Sequence, residues 1–523
     1  MLVLPQQKAI ALKLRNPEKV TSLIEEARVF EWKGVPVTLV PHRPETTLIL
    51  RNLGFDAPSP IHSRYQWSGR YTPFHAQSQT VDIKTVHPRM YNCSDMGTGK
   101  TLSTLWSYDY LRSIGRVKRA LIVCPLSTLS VTWGEHIFEH FPNLNYAVLH
   151  GSREKRLKLL ANKEFDIYLI NPAGLDAIVD DLEHRGDIDL IVLDELTDYK
   201  NPSTDRWKLA NEICNKQKLP DGSDRRVWGL TGTPTPNKPT DAYGQIKLVT
   251  PWAVKGIGSG RFKEMVMLQM TEFLWIPKKD AQETIAKFMQ PAVRFAMEDC
   301  VELPDLIHIE REATMSREQA AAYKSMMDML VAEVANGEVL AVNEGVKAGK
   351  LIQIAAGCAY GPNGEELLLG APSRIAVVKE IMEQSASGKS IVFVPYVSLV
   401  KYVAGELTKA GYKVEYIFSE TTKKERDRIF RAMQAGELDA IVAIPSCMSH
   451  GITLTAASTI IWYAPIPDNG VFSQANARCH RPGQKHKSVV AMIWGSPIER
   501  RYYRRLKDRE NSQGILLDLL KRK

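Results

Sequence analysis

Ser94-Asp95-Met96-Gly97-Thr98-Gly99-Lys100-Thr101 ends in Gly-Lys-Thr immediately before a helical run, Leu102 to Leu111. That order of residues suits a phosphate group. Gly97 and Gly99, on either side of Thr98, let backbone N–H groups approach phosphate oxygens without a Cβ in the way, and the N-terminus of the following helix adds positive potential. Lys100 has the reach for β- and γ-phosphates, and the Thr101 hydroxyl is a ligand for Mg²⁺. Where such loops carry their first glycine this one has Ser94.

Three further elements fit phosphoryl chemistry. Asp194-Glu195 closes the apolar run Leu190-Ile191-Val192-Leu193, so both carboxylates emerge at the C-terminal edge of a strand, where α/β sheets bind ligands. Asp194 is expected to hold Mg²⁺, directly or through water, and Glu195 to polarise the attacking water as general base. Acids also close strands as solvated caps, so this reading draws its weight from its neighbours. Gly229 to Asn237 follows another strand with a hydroxyl-rich turn, and Thr231 and Thr233 there could sense the γ-phosphate; a turn built for geometry alone is the competing reading. Gln474 to Gln484 carries Arg478 and Arg481 three residues apart on one helix face. Charge accumulates on the equatorial oxygens of a transferring phosphoryl group, so these arginines could reach it as arginine fingers. Surface arginines are the alternative, but the order of the four elements is hard to obtain by accident.

These residues need a scaffold that delivers them to one place. Short β-rich apolar runs alternate with helical patterns, which is how a parallel sheet covered on both faces is written. One series comprises Arg119 to Pro125, Ile167 to Asn171, Leu190 to Glu195 and Val227 to Pro234. A second comprises Ser390 to Pro395, Lys413 to Phe418, Ala440 to Pro445, Thr459 to Pro465 and Ser488 to Trp494. The expected class is α/β, with two tandem parallel-sheet lobes, helical insertions and a small N-terminal α+β module. The expected boundaries are an accessory module over 1–66, a first lobe over 67–250, a mostly helical insertion and linker over 251–372, and a second lobe with a basic C-terminal helix over 373–523. Within the module, Asn16-Pro17-Glu18 predicts a helix start and Val35 to Leu50 a hairpin-like stretch. The aromatic segment Ile61 to Phe74 reads as a connector.

Composition narrows the partners. The 523 residues are 44% apolar, enough for several cores. No apolar run approaches the ~20 residues that span a bilayer, and the N-terminus lacks the ordered regions of a signal peptide, so a cytoplasmic location is expected, the host cytoplasm if the source is viral. The seven cysteines are scattered and never spaced as CxxC, which supports neither a disulfide framework nor a zinc site. Residues 474–523 carry 13 Lys plus Arg against 4 Asp plus Glu, an excess equal to the net +9 of the whole chain. A basic terminus of this kind, with Arg500, Arg501, Arg504 and Arg505 at its centre, suits a polyanion.

The pattern resembles the Swi/Snf-type branch of the superfamily-two helicase-like ATPases, over roughly residues 72 to 510. Besides the phosphate loop, the likeness rests on Asp194 to Asn201, on Thr231-Gly232-Thr233-Pro234 with Asn237, and above all on His480-Arg481-Pro482-Gly483-Gln484. The resemblance implies RecA-like lobes with ATP and Mg²⁺ between them. Gln77, in Thr72 to Gln77, would lie against adenine and Gln474 beside the nucleotide. Pro125, Ser127 and Thr128, with Trp133 following, would touch a DNA backbone. Glu302-Leu303-Pro304, Gln319 and Tyr323 would enter the second lobe. Gly451 and Thr453 would couple DNA to the ATP site, and Ile498-Glu499 to Leu506 would close the lobe. Two departures stand out: Thr197 where many relatives have His, and His450-Gly451 where they often show Gly-Gly. Neither removes a phosphate, metal or water ligand.

The expected function is ATP-dependent translocation along DNA, duplex or branched and largely without sequence preference, by a monomer. A strand-separating DNA or RNA helicase is the nearest alternative; a nucleotide-gated nucleic-acid-binding scaffold subunit is the other. Any recruiting protein is not identifiable from the residues, nor is the role of residues 1–66.

Overall fold

The computed structural model describes residues 1–521 except 273, 336–340, 361–365 and 449–452. At the N-terminus β1 (Leu2–Leu4), β2 (Ala9–Leu12), β3 (Arg28–Trp32) and β4 (Val35–Pro41) form an antiparallel sheet in the order β1-β2-β4-β3. Strand alternation puts Ile10, Leu12 and Val40 on its inner face, against Val20, Ile24 and Leu50. The helix that starts at Glu18 is a single turn, Glu18–Thr21. The hairpin expected over Val35 to Leu50 is a misreading. The partner of β4 lies upstream, across the two-residue turn Lys33-Gly34, whose φ angles of 50° and 74° are both positive, as a tight hairpin turn requires. Pro44–Asn52 is a helix, with Pro44 at its first position and Glu45 in its first turn. A proline already bent to helical φ and an acid at the positive helix end outweigh the β-branched Thr46 and Thr47.

The module is fastened to the next helix, His75–Val86, through one buried carboxylate. Asp82 accepts from Arg51 at 2.5 Å and from the backbone N–H of Ser59 at 2.7 Å, with His62 Nε2 at 3.1 Å. These partners outweigh the burial that opposes them and hold its pKa down at about 2. The segment from Ile61 to Phe74 begins with a helical turn, Ile61–Arg64, and packs as a strap. Tyr65 and Trp67 meet Tyr110 and Trp106 edge-on, with ring centroids 5.9 and 5.6 Å apart, and Trp106 Nε1 donates to the Ser68 carbonyl at 2.9 Å.

Among the described residues the first lobe is a seven-stranded, wholly parallel sheet. It comprises β5 (Arg89–Asn92), β6 (Arg119–Val123), β7 (Tyr146–Val148), β8 (Ile167–Ile170), β9 (Ile188–Asp194) and β10 (Arg226–Leu230). After a separate hairpin, β11 (Met267–Gln269) with β12 (Trp275–Pro277), the chain returns to it as β13 (Ala292–Val293). The order is β13-β5-β10-β9-β6-β8-β7. Among the described residues the second lobe is a six-stranded parallel sheet of β14 (Leu306–Glu312), with β15 (Cys358–Tyr360) and β16 (Glu366–Leu368) forming a hairpin aside, then β17 (Ser390–Phe393), β18 (Val414–Ile417), β19 (Ala440–Ala443), β20 (Thr459–Trp462) and β21 (Ser488–Trp494). Its order is β14-β21-β20-β17-β19-β18. The two α/β lobes expected are therefore present. The span 251–372, read as helical insertion and linker, also gives a strand to each sheet. β13 has only two residues and β14 is an edge strand with charged Glu310, Arg311 and Glu312, so neither shows the apolar run of a central strand.

The C-terminal helix Pro497–Leu519 has 23 residues and, at 1.5 Å rise, is about 34 Å long. Its first half belongs to the second lobe: Tyr503 and Leu506 join that core, and fully buried Glu499 meets Arg374 at 3.0 Å while accepting from the Gly495 N–H at 2.8 Å. Its last turns cross over, so that Leu516, Leu517 and Leu520 belong to a first-lobe core with Phe262 and Ile285, and Gln282 Nε2 donates to Ser512 Oγ at 2.8 Å. One helix thus ties both lobes. No helix among the described residues is long and apolar enough to cross a membrane.

Removing one member of a buried ion pair leaves the other stranded, at a cost of about 3–5 kcal/mol. Glu499→Ala is expected to lower unfolding stability by that order, measured by urea denaturation. A loss under about 1 kcal/mol, the level of an exposed pair, would show that Arg374 finds other compensation.

Candidate active site

The phosphate loop joins β5 to the helix Lys100–Ser113. Gly97 and Gly99 have φ of 88° and 78°, where a side chain is strained. At Gly99 a Cβ would also lie 2.0 Å from Gln77 Nε2, and at Gly97 2.5 Å from the Met297 methyl. The loop is held from beneath. Ser94 Oγ accepts from the Phe295 N–H at 3.1 Å, Asp95 pairs with Arg294 at 2.9 Å, and Thr98 Oγ1 donates to the Asp95 carbonyl at 2.8 Å. The serine in the usual glycine position therefore anchors the loop to the segment after β13. Lys100 Nζ donates to the carbonyls of Ser94 at 2.8 Å and Asp95 at 3.1 Å, and burial lowers its pKa. Thr101 sits half-buried in the first helical turn, and Gln77 is buried against Gly99.

Asp194 ends β9 in the centre of the sheet. Its Oδ2 accepts from Trp133 Nε1 at 2.9 Å and its Oδ1 from the Glu195 N–H at 3.1 Å. Trp133, noted above only for following the Pro125 element, therefore orients the acidic pair. Glu195 has φ of 53°, a left-handed conformation unusual outside glycine and typical of functional sites. Burial, and then the neighbouring Asp194 carboxylate, push its pKa up to about 7. That of Asp194 is also raised by burial, so the two titrate as a pair. Behind them the amino group of Lys84 is buried against Thr104 Oγ1 and lies 5.6 Å from the centre of the Trp228 ring, and burial lowers its pKa well below the ordinary lysine value.

Thr197 accounts for the departure from histidine. Its Oγ1 donates to the Thr233 carbonyl at 2.8 Å and lies 2.7 Å from Thr231 Oγ1, which accepts from the Thr233 N–H at 3.0 Å. The acidic box and the hydroxyl-rich turn are thereby one hydrogen-bonded unit.

The second lobe completes the pocket. Gln474 Nε2 lies 3.4 Å from Glu195 Oε2, and Pro482 Cδ would be 3.6 Å from a Cβ at Gly97. Arg478 and Arg481 lie close enough to Glu195 for its charge to act on both. Burial lowers their pKa values to about 9 and about 10, the charge of Arg481 adds to the fall at Arg478, and the Glu195 carboxylate opposes it at each. Both remain cations at neutral pH. Arg481 donates to Thr453 Oγ1 at 3.3 Å. Gly451 lies outside the described residues. Elsewhere across the cleft, Asn237 Oδ1 accepts from the Asn469 N–H at 3.2 Å and from Arg509 at 3.4 Å. The structure thus gathers Gln77, Gly97, Thr98, Gly99, Lys100, Thr101, Asp194, Glu195, Thr231, Thr233, Gln474, Arg478 and Arg481 around one interlobe cleft.

The residues expected to meet nucleic acid are less uniform. Pro125 and Ser127 line a cleft of about 440 Å³ whose opposite wall is second-lobe Lys423, Arg426 and Ser446. Thr128 is buried, with its hydroxyl donating to the Pro125 carbonyl at 2.9 Å. On the C-terminal helix Arg501 and Arg504 are exposed. Arg500 lies over Trp494 and 3.6 Å from Glu310, and Arg505 lies over Tyr502. Lys423 and Arg426 carried no motif signal; only the fold places them opposite Ser127.

With this geometry in view, residues 92–354 match the model of the SNF2-related domain and residues 373–483 that of the helicase conserved C-terminal domain. The first match alone spans half of the chain, so the chain belongs to the SNF2-related family. It is a helicase-like ATPase, as the motifs implied. It is 25% identical over 453 residues to protein p41 of Acyrthosiphon pisum secondary endosymbiont phage 1, with 82% of this chain and 94% of that one covered. It is 24% identical to YwqA of Bacillus subtilis (strain 168), a protein named as an ATP-dependent helicase/translocase (77% and 44% covered). The same identity holds for the SWI/SNF-related matrix-associated actin-dependent regulator of chromatin subfamily A-like protein 1 of Xenopus laevis (80% and 41%). The chain therefore spans nearly all of the phage relative and less than half of the other two. Among solved structures, the Sulfolobus solfataricus SWI2/SNF2 ATPase core in complex with dsDNA is 24% identical, covering 86% of this chain and 94% of that one, with a TM-score of 0.40.

Two outcomes test the site. A general base must be deprotonated to act, so with a Glu195 pKa of about 7, kcat/KM for ATP is expected to climb as pH rises towards that value and level off above it. A flat profile across neutrality contradicts the assignment. Thr197→Val keeps the side-chain shape but removes the hydroxyl that joins the acidic box to Thr231 Oγ1 and the Thr233 carbonyl, so kcat is expected to fall with the KM for ATP nearly unchanged; the opposite split would mean that Thr197 serves nucleotide binding.

Proposed function

We propose that the chain hydrolyses ATP in the interlobe cleft and uses the resulting opening and closing to move along duplex DNA without net strand separation. The observation that carries this reading is the composite pocket: Lys100, Asp194 and Glu195 from the first lobe face Gln474, Arg478 and Arg481 from the second.

Each residue's part follows from its surroundings. Lys100, now bonded to two carbonyls of its own loop, exchanges them for β- and γ-phosphate oxygens, joined by the backbone N–H groups that Gly97 and Gly99 leave accessible. Gln77, buried beside Gly99, faces the adenine end. Thr101 and Asp194 would hold Mg²⁺: they offer hard oxygen ligands, and one or two carboxylates plus substrate phosphates are what this ion takes. When bound, that ion neutralises charge on the phosphates. Glu195, uncharged or charged near neutrality, takes the proton of the attacking water. Arg478 and Arg481 stabilise the charge that develops on the transferring group, and they do so only while the lobes are closed. Thr231 and Thr233, tied to the acidic box by Thr197, pass loss of the γ-phosphate to Asn237 and so to the second lobe. Gly451 and Thr453 would act in the same coupling, the latter through Arg481.

For DNA, the favoured track runs between Pro125, Ser127 and Thr128 on one side and Lys423 and Arg426 on the other, with Arg501 and Arg504 adding phosphate contacts beyond Arg500 and Arg505. Such binding is salt-sensitive and nearly sequence-blind. One observation favours the alternative of strand separation: the β11–β12 hairpin exposes Leu268, Met270, Leu274 and Ile276, the apolar character of a wedge.

The deciding experiment measures the ATPase rate with no nucleic acid, single-stranded DNA, duplex DNA, branched DNA and RNA, beside strand- and triplex-displacement assays. Duplex stimulation with triplex but not strand displacement is expected. Strand displacement would favour the helicase reading, and no stimulation by any nucleic acid would remove the motor. Lys100→Ala and Glu195→Gln are each expected to cut the stimulated rate by about a hundredfold or more, with ATP binding retained only in Glu195→Gln. Wild-type turnover by Glu195→Gln would refute its role as base.

A further inference from the structure

The N-terminal sheet has a second face that its own core does not use. Register places Leu2, Ala11, Leu39 and Arg28 in one row across that face, with Val37 beside Phe30 and Val35 beside Trp32 in the next rows. Leu2 is 63% exposed, Phe30 41% and Trp32 61%. Phe30 and Trp32 stand two residues apart on the edge strand β3, about 7 Å along it. No acidic residue occupies a paired position on this face, since Glu31 pairs with Pro36 on the other. Its charge comes from Arg28 and from exposed Lys13, one residue beyond β2 and in phase with Ala11.

Exposed apolar surface of this extent marks a binding face, and the charge and ring geometry select the occupant. Two aromatic rings at successive outward positions of a strand, with Arg28 and Lys13 on the same face, offer π-faces to successive bases and positive charge to the phosphates joining them. A duplex keeps its bases stacked inside and cannot use the rings. We propose that the outer face of the N-terminal sheet binds single-stranded nucleic acid, with Phe30 and Trp32 each stacking on a base and Arg28 and Lys13 contacting the backbone. The platform does not float. Asp82 fixes the module to the helix that begins beside Gln77, so a captured strand is held at a set distance from the motor. That arrangement suits DNA in which a single-stranded arm meets a duplex.

The test uses the full chain and fluorescence anisotropy with a labelled oligothymidylate and a duplex of equal length. The double variant Phe30→Ala/Trp32→Ala is expected to bind the oligothymidylate roughly tenfold or more weaker, with duplex affinity and ATPase rate in the absence of nucleic acid unchanged. Arg28→Gln should weaken the same binding and flatten its salt dependence. Trp32→Phe should keep most of the affinity and Trp32→Leu should lose it, which separates stacking from apolar contact and stands even if the double variant folds poorly. Unchanged oligothymidylate affinity in Trp32→Leu and the double variant overturns the proposal. So does self-association of the wild type that the double variant abolishes while oligothymidylate binding persists, which would make the face an interface between copies. The motor reading fails separately, if duplex DNA does not raise the ATPase rate.

Discussion

Everything else in this molecule is arranged around charge that neither lobe can bury well alone. The first lobe brings two carboxylates and an ammonium into its sheet edge, and the second brings two guanidinium groups to face them. Isolated burial of any of these is expensive. The opposing directions of their pKa shifts record that cost: burial drives the Asp194 and Glu195 values up and the Lys100, Arg478 and Arg481 values down, and each set relieves the other. ATP would add phosphate charge to a cleft where three cations already converge. Nucleotide binding and closure must therefore favour each other, since a ligand shifts an equilibrium only by its preference for one state.

The contacts that transmit this preference form a circuit. From Glu195 the chain turns directly into Thr197, whose hydroxyl grips Thr231 and Thr233. The same turn runs on to Asn237, which receives the N–H of Asn469 at the start of the helix Asn469–Asn476. That helix carries Gln474 back to Glu195. The path therefore closes on itself across the two lobes, and the C-terminal helix is a second connection between them. With Glu499 sealed in the second lobe and Leu516, Leu517 and Leu520 packed on the first, wide separation of the lobes would expose that apolar contact.

Local chemistry was legible in the residues wherever one backbone conformation demands one residue type. Gly97 and Gly99, the carboxylates closing an apolar strand and the paired arginines could all be read, because their spacing alone restricts what they can do. Long-range compensation could not be read. Arg89 breaks the apolar pattern of β5, and only the fold reveals that it donates to Asn215 and to the Leu248 carbonyl, 126 and 159 residues away. Thr197 read only as a departure from the family's usual histidine, because its partners lie in the turn that follows another strand. The C-terminal helix read as a basic surface, since its charged face dominates the composition, whereas Leu516, Leu517 and Leu520 acquire meaning only against a lobe formed from residues more than two hundred positions earlier. The hairpin expected at Val35 to Leu50 failed for the converse reason: β-branched residues suggested a strand where Pro44 and Glu45 start a helix.

The helix His75–Val86 joins these two kinds of information. One face presents Gln77 to the phosphate loop, its amide nitrogen 2.0 Å from where a Cβ at Gly99 would lie. Seven residues from the start of that helix, Asp82 takes the module's Arg51 and Ser59. A single helix of 12 residues, about 18 Å long, therefore touches the nucleotide site near one end and, past its middle, the helix Pro44–Asn52 and the Ser59 backbone of the N-terminal module. The module is thus joined to the first lobe through a buried, multiply bonded carboxylate.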